Sequence, residues 1–277
     1  MSILPGLRSI KLRSALTAFV AGIVATTTFG VSPAVADPSA VTLPPAGAQW
    51  DYQIGRPNGA YTPSSDVQIV SRDRQSAPAP GLYNICYVNA YQAQPNETWD
   101  SSLLLHDANG NVVVDTQWNE PLLDITTAAK RTAIMDVVGP WIDGCASSGF
   151  DAVEPDNYDS YERSQGLITT SNAEAFMSLL VARAHSHNLA IAQKNTLALA
   201  PDRQALGLDF AVVEECGAYT ECADYVGYFG NNIVDVEYTD TGMANVCDSY
   251  AGTLSIVRRD VLVTAPGSDT YVYGTCS

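Results

Sequence analysis

Nine short runs rich in β-branched and aromatic residues punctuate this chain: WDYQI, VQIVS, LYNICYV, PLLDI, FDAVE, LAIAQKN, FAVVEEC, NIVDVEYT and LSIVRR. Each has the length and residue types of a strand. Between several of them lie stretches with apolar residues at helical spacing, notably residues 127–147 and 171–187, where Phe176, Leu179, Leu180 and Ala184 recur on one face. Strands alternating with helices predict an α/β protein with a parallel sheet.

The first 36 residues read as an export signal. Arg8, Lys11 and Arg13 precede an apolar stretch from Ala15 to Val24, and Ala34-Val35-Ala36 offers a small-residue cleavage site before Asp37. The apolar stretch is shorter than the roughly 20 residues of a membrane span. The expectation is a secreted protein with no membrane anchor, beginning with a Pro/Ala-rich lead-in at 37–49 that has little to pack. Residues 50–277 then form the folded domain.

A mature chain of about 240 residues suits one (β/α)8 TIM-type barrel, which typically needs about 250. Nine strand candidates exceed the eight required, so one is an extra strand or a misreading. It is expected between Trp50 and Val70, where two strands are joined without room for a helix. Residues 100–120 read as a small hairpin insertion, because DANGN is a turn signal between two apolar arms.

Removing the signal takes away three cations and no acid, which moves the formal charge from −16 to −19. Such a field repels nucleic acid and anionic membranes and concentrates a cationic ligand in an acidic cleft. Acidity also keeps an exported protein soluble, whatever its function. Six cysteines in an exported chain predict disulfides; spacing alone leaves about 15 connectivities open, and the expected set is Cys216–Cys222 across a short loop, Cys86–Cys145 and Cys247–Cys276. There is no Cys-x-x-Cys, and His106, His185 and His187 lack ligand-like company, which argues against zinc.

Several strand candidates finish in polar residues that packing does not require: Arg72 with Asp73, Asn89, Asp124, Glu154 with Asp156 and Asn157, Lys194 with Asn195, Glu214 with Glu215, Glu237 with Tyr238, and Arg258. In a barrel these ends converge on one mouth. Period-two alternation puts Glu154 and Asp156 on the same side of their strand, and Pro155 between them favours a rigid, extended strand end. Two carboxyls across a cleft, one protonated and one ionised, suit glycosidic bond cleavage through an oxocarbenium-like transition state. The candidates are Glu154 or Asp156 on one strand and Glu214 two strands later. Crowding of acids is expected to raise the proton affinity of one of them. Lys194, on the strand between, would stabilise the ionised member or bind a substrate oxygen. Tyr87, Tyr91, Trp118, Tyr158 and Tyr238 are candidate platforms for a sugar ring.

A phosphate loop, a G-x-S-x-G elbow and an H-E-x-x-H motif are all absent from the sequence. A Ca²⁺ or Mg²⁺ held by Glu154, Asp156 and Asn157 is an alternative that the neighbouring Lys194 weakens. Neither metal nor cofactor is expected.

Four blocks carry a family resemblance: GFDAVEPDN at 149–157, AIAQKN at 190–195, FAVVEEC with a second Glu-Cys between Phe210 and Cys222, and IVDVEYT at 233–239. In this order they resemble glycoside hydrolase family 114, the endo-α-1,4-polygalactosaminidases, whose pattern runs GFDGVEPDN, GLKN, FDFAVNEQC and EYT. WDYQI and ICY extend the likeness over nearly all of the mature chain. The resemblance implies a barrel and endo-hydrolysis of α-1,4-linked galactosamine-containing polysaccharide. It also implies one catalytic carboxylate among Glu154 and Asp156 and another at Glu214. Asp156 is preferred as nucleophile and Glu214 as acid/base. Asp73, Tyr87, Asn157, Lys194, Asn195, Glu237, Tyr238 and Arg258 are the expected substrate contacts, and the partner is a cationic amino-sugar polymer bound by a monomer. Two departures stand out: VSRDRQS replaces an Asp-rich run, and Val213 and Glu215 flank Glu214 where the family often has Asn and Gln. A non-catalytic polysaccharide-binding barrel and a metal-dependent hydrolase are the alternatives.

Overall fold

The computed structural model describes residues 41–55, 60–95 and 97–276; the export-signal region and the first residues of the lead-in lie outside them. The strands are β1 (Trp50–Gln53), β2 (Ile69–Asp73), β3 (Tyr83–Asn89), the short pair β4 (Val114–Asp115) and β5 (Glu120–Pro121), β6 (Ala152–Asp156), β7 (Ala190–Lys194), β8 (Phe210–Glu214), β9 (Ile233–Glu237), β10 (Ser255–Arg259) and β11 (Tyr273–Gly274). The helices are α1 (Ala128–Ser148), α2 (Ser160–Arg163), α3 (Thr170–Ser186), α4 (Arg203–Leu206), α5 (Cys216–Tyr219), α6 (Cys222–Phe229) and α7 (Asp240–Tyr250). Among the described residues, none of these helices is long and apolar enough to cross a membrane.

One sheet runs β1-β2-β3-β6-β7-β8-β9-β10-β11, parallel throughout except for the last strand, which is antiparallel to β10. Eight parallel strands in chain order, with helices outside, form a (β/α)8-type fold. Two strand expectations need correction. WDYQI and VQIVS are both barrel strands, paired in parallel from Trp50↔Ile69 to Gln53↔Arg72, although no helix joins them. The surplus run is PLLDI: its residues pair antiparallel with Val114 and Leu104 in the insertion and with Gln92 just after β3. Its apolar side chains serve the outer core, where Leu122 and Leu123 are fully buried. The DANGN turn forms as expected, with Asp107 N donating to Asn111 O at 2.8 Å.

Helix limits follow their caps. Thr127 Oγ1 accepts from Lys130 N at the start of α1, and Gly149, at φ 93°, ends it in the left-handed region. Thr169 and Asn172 form a reciprocal capping box on α3.

The barrel wall separates two apolar cores, and consecutive strand residues go to opposite ones. Ala152, Ala190 and Val212 join the interior with Trp50, Tyr52 and Phe210; Val153, Ile191 and Val213 join the outer core beneath the helices, with Ile134, Phe176 and Leu180. Large rings on β1 and β8 face alanines on β6 and β7, so the interior fills without a pore. Each fully buried side chain of this size contributes roughly 1.5–3 kcal/mol.

The lead-in, expected to pack little, packs against the interior. Val41 and Leu43 rest on the inner core and Ala48 is buried in it, while Thr42 O accepts from Tyr83 Oη at 2.7 Å. Apolar side chains at the barrel's N-terminal end need a cover, and this segment supplies it. All three expected disulfides form: Cys86–Cys145 ties β3 to α1, Cys216–Cys222 joins α5 to α6, and Cys247–Cys276 anchors the C-terminal segment to α7.

Candidate active site

Three strands deliver the central charges, and each is followed at once by a residue with positive φ. Asp156 precedes Asn157 (φ 65°), Lys194 precedes Asn195 (φ 48°), and Glu214 precedes Glu215 (φ 62°). A left-handed residue turns the chain off the strand immediately, leaving the last side chain at the rim. Asparagine tolerates this conformation; for Glu215 it is strain held by its surroundings. The β6–β7 ladder ends at Val153↔Ile191, and Pro155 brings no N–H to extend it, so the two strands part towards the mouth.

Lys194 lies at the centre and is fully buried. Its Nζ is 3.0 Å from Glu154 Oε1, 3.2 Å from Asp156 Oδ1 and 3.8 Å from Glu214 Oε2. It also donates to Tyr52 Oη at 3.0 Å. Burial alone would drive its pKa down, but Asp156, Glu214 and Glu154 together hold it well above the ordinary lysine value. The ammonium thus occupies the place between Glu154 and Asp156 that a divalent ion would need.

The three acids are not equivalent. Glu154 has no exposed surface, whereas the side chains of Asp156 and Glu214 keep 16% and 29% of theirs. Tyr52 Oη donates to Glu154 Oε1 at 2.6 Å, beneath the cleft. Burial pushes the Glu154 carboxyl up to about 7, with Lys194 opposing and Asp156 adding to the rise. The raised proton affinity expected from acid crowding therefore falls, through burial above all, on the one acid a substrate cannot reach.

Glu214 is gripped on both oxygens. Tyr238 Oη donates to Oε1 at 2.5 Å and Asn195 Nδ2 to Oε2 at 2.7 Å, while Asn195 Oδ1 accepts from Glu214 N at 2.8 Å. Burial raises the pKa of Tyr52, Tyr87 and Tyr238 well above the ordinary tyrosine value, so all three remain hydroxyls. Asp156 is held through Asn157, whose N donates to Oδ1 at 2.6 Å and whose Nδ2 donates to Asn89 Oδ1 at 3.0 Å. Asp156 Oδ1 and Glu214 Oε2 can be no further apart than their distances to Lys194 Nζ, 3.2 and 3.8 Å, laid end to end. That bound admits the separation of a retaining pair, about 5 to 5.5 Å, and also the lower end of an inverting one, about 6.5 Å and above.

The other expected site residues divide. Tyr87 lies close to Asp156, with its ring centroid 5.8 Å from Lys194 Nζ. Asp73 is brought to the same rim, in register with Tyr87, but it is buried and Oδ1 accepts from Gln75 N at 2.8 Å in the following turn. Glu237 and Arg258 are not brought to the mouth. Each follows a residue of the inner core, Val236 or Val257, and so faces outward. Glu237 lies under α5, accepting from Gly217 N at 2.5 Å, and Arg258 Nε donates to Asp240 at 3.0 Å. Tyr91 and Tyr158 are fully buried core residues, Tyr91 packing edge-on to Phe176 at 5.1 Å, and are no sugar platforms. Trp118 is exposed in the β4–β5 turn. His185 and His187 pair with Asp209 and Asp143 at 2.9 and 2.8 Å.

Two residues escaped the sequence reading. Tyr52 shares its strand parity with Trp50, a signal that was available. Glu120 comes from the hairpin insertion, where no barrel periodicity applies. It accepts from Asn89 Nδ2 at 2.7 Å, and burial lifts its carboxyl to about 7, the Asn89 bond opposing and nearby Asp156 adding.

The model of glycoside-hydrolase family GH114 matches residues 30–276. No curated protein matches the chain by sequence. Among solved structures, Ega3 of Aspergillus fumigatus, crystallised with galactosamine, is similar with a TM-score of 0.70 at 23% identity, over 85% of this chain and 98% of that one. The glycoside hydrolase domain of PelA from Pseudomonas aeruginosa is similar with a TM-score of 0.54 at 14% identity, over 80% of this chain and 97% of that one. At these identities the likeness is one of fold.

Proposed function

This chain belongs to glycoside-hydrolase family GH114 and is a glycosidase; from that premise we propose that it is a secreted, monomeric, retaining endo-hydrolase of α-1,4-linked galactosamine-containing polysaccharide. The observation that carries this reading is the placement of Lys194 between two partly exposed carboxylates, Asp156 and Glu214. Asp156, 3.2 Å from the Lys194 ammonium, attacks the anomeric carbon. Glu214 gives its proton to the departing glycosidic oxygen, and the C–O bond breaks as the glycosyl ester forms. Glu214, now ionised, takes a proton from water, whose oxygen displaces Asp156 and releases the sugar. The Tyr238 hydroxyl can donate or accept, so its bond to Glu214 survives both protonation states. Glu154 does no chemistry here; it anchors Lys194 from below.

The substrate class is supported by charge. A polymer with free amino groups is cationic, and a mouth holding Asp156, Glu214 and Glu120 in a strongly acidic chain attracts and places it. Galactosamine bound to the structurally similar Ega3 accords with this choice. Export is supported by the N-terminal signal pattern at 1–36 and by three disulfides.

The test incubates the mature protein with galactosaminogalactan and follows product size and the anomer first released. Shortening to oligomers with retained configuration is expected, and loss of cleavage in both Glu214→Gln and Asp156→Asn. Inverted product would remove the covalent step, and undiminished cleavage by both variants would reject the site.

A further inference from the structure

On the outer face of β9, Asp235 and Glu237 form a second acid pair that the reaction does not use. Both side chains are fully buried, and they point away from the mouth towards α5 and α7. Their carboxylate oxygens and Cys216 Sγ lie within 4.8 Å of one another. The sulfur is already bonded to Cys222, so these three residues do not form a metal site. Asp235 Oδ2 and Glu237 Oε2 have no hydrogen-bond partner, and two ionised carboxylates this close without a cation repel strongly.

The pair's remaining bonds all run to the turn that carries Glu214. Glu237 Oε1 accepts from Gly217 N at 2.5 Å, with the Ala218 N–H also directed at this carboxyl, and Asp235 Oδ1 accepts from Cys216 N at 3.4 Å. These are the first amides of α5, two to four residues beyond Glu214. Two glycines let the carboxyl in: a Cβ on Gly217 would meet Glu237 Oε1 at 2.8 Å, and one on Gly242 would collide with Oε2. Glu215, between Glu214 and these amides, holds its strained φ of 62°. The turn is also held by the Cys216–Cys222 disulfide and by Glu215 N donating to Val236 O at 2.8 Å, and the buried carboxyls add a grip from behind.

We propose that Asp235 and Glu237 hold one proton between them and through it fix the turn that presents Glu214, acting as a proton-dependent positioning pair for that carboxylate. Asp235 carries the proton and donates it to Glu237, and Glu237, ionised, accepts the amides of Gly217 and Ala218. Burial and the neighbouring Glu237 raise the Asp235 carboxyl well above its ordinary range, in keeping with that division. The charged groups around the pair are Glu214 and Glu215 before α5, Arg258 on β10, whose Nη1 donates to Glu237 O at 3.4 Å, and Asp240 at the start of α7, held by Arg258. Glu215 opposes loss of the proton, and so does Glu214 whenever it is ionised. When it does leave, two adjacent anions face each other and the grip on the turn fails.

The role assigned to Glu214 rests on the function proposed above, so the test reads the turn and the reaction separately. Protection of the Gly217 and Ala218 amides against hydrogen exchange, corrected for intrinsic rate, is measured from neutral to alkaline pH, alongside kcat on galactosaminogalactan. In the wild type, protection and kcat fall together by about tenfold or more, the effect of one pKa unit of coupling. Asp235→Asn, which donates without titrating, is expected to keep both at their neutral-pH levels and so remove the alkaline limb. A limb and a loss of protection that are the same in wild type and Asp235→Asn would overturn the proposal, as would protection that never changes with pH. Should Glu214→Gln leave kcat untouched, the catalytic assignment fails while the exchange result still decides the clamp. If Asp235→Asn does not fold, Glu237→Gln, in which the amide supplies the bond without a proton, must flatten the same limb.

Discussion

Among the described residues, Lys194 and Arg259 are cations with almost no exposed surface, and their surroundings differ in one respect. Arg259, at the seam between β10 and β1, donates to Asp51 Oδ1 at 3.1 Å, Val272 O at 2.9 Å and Thr264 O at 2.7 Å. No ladder joins β1 to β10; β11 occupies the free edge of β10 at Arg258 and Arg259, and the guanidinium ties the seam together. Every hydrogen-bond acceptor of the Arg259 guanidinium is a fixed protein oxygen, and its one carboxylate partner, Asp51, is itself buried. Lys194 is equally buried, yet two of its three carboxylates reach the cleft. A finished ion network is structure; an unfinished one, whose outer members still face solvent, has capacity left for a substrate. The planar fork of Arg suits the first and the compact ammonium of Lys the second.

That contrast breaks most sharply at the acids around Lys194. Asp156→Asn and Glu214→Gln are each expected to lower kcat by about a thousandfold or more, on the order of 4 kcal/mol in the barrier, while the melting temperature moves little. Equal losses in activity and stability would mean that the mouth is as structural as the seam. Arg259→Met should do the reverse. It leaves Asp51 buried without its cation and is expected to cost about 3–5 kcal/mol of stability, read from denaturant midpoints, with kcat unchanged for the folded fraction. Asp51→Leu added to Arg259→Met should recover part of that loss.

The third expectation concerns pH. Glu154 and Glu120 have carboxyls lifted from 4.5 to about 7, so between those values the folded chain binds more protons than the unfolded one. Their contribution is complete below about pH 4.5, declines as pH rises to about 7, and is flat above that. Denaturant midpoints across this window should fall in the wild type and fall less in Glu154→Gln. A rise through the window would show that Lys194 outweighs burial at Glu154. The smallest effect belongs to the long-range field. KM on a de-N-acetylated polymer should rise steeply with added salt as screening removes attraction to the mouth, whereas kcat should hold. Salt-independent turnover would take electrostatic placement out of the proposed function.

Eight of the nine runs read as strands lie in the barrel, and the charged residues at their ends are legible because packing gives no reason for them. PLLDI was misread because an apolar run between turn signals looks alike whether its side chains serve a barrel or a hairpin packed on one. Glu154 and Asp156 could be told apart only in part. Alternation gives them one side, but depth along the strand decides which of two inward acids meets solvent, and the residues beneath and above them come from β1 and β7.

By itself, then, the sequence determined the eight barrel strands' positions and order and the side-chain parity along each strand; it called for disulfides, but spacing left their pairing open until the fold brought the cysteines together. It did not determine which parity faces the axis. A parallel strand covered by helices outside and side chains inside is apolar on both faces, so Val236 beside Glu237 and Val257 beside Arg258 carry no sign of inside or outside. Closure of the barrel supplied that sign. It turned Tyr238 and Glu214 into the cleft, sent Glu237 and Arg258 behind the wall, and brought Glu120 to the rim from an insertion outside the repeat.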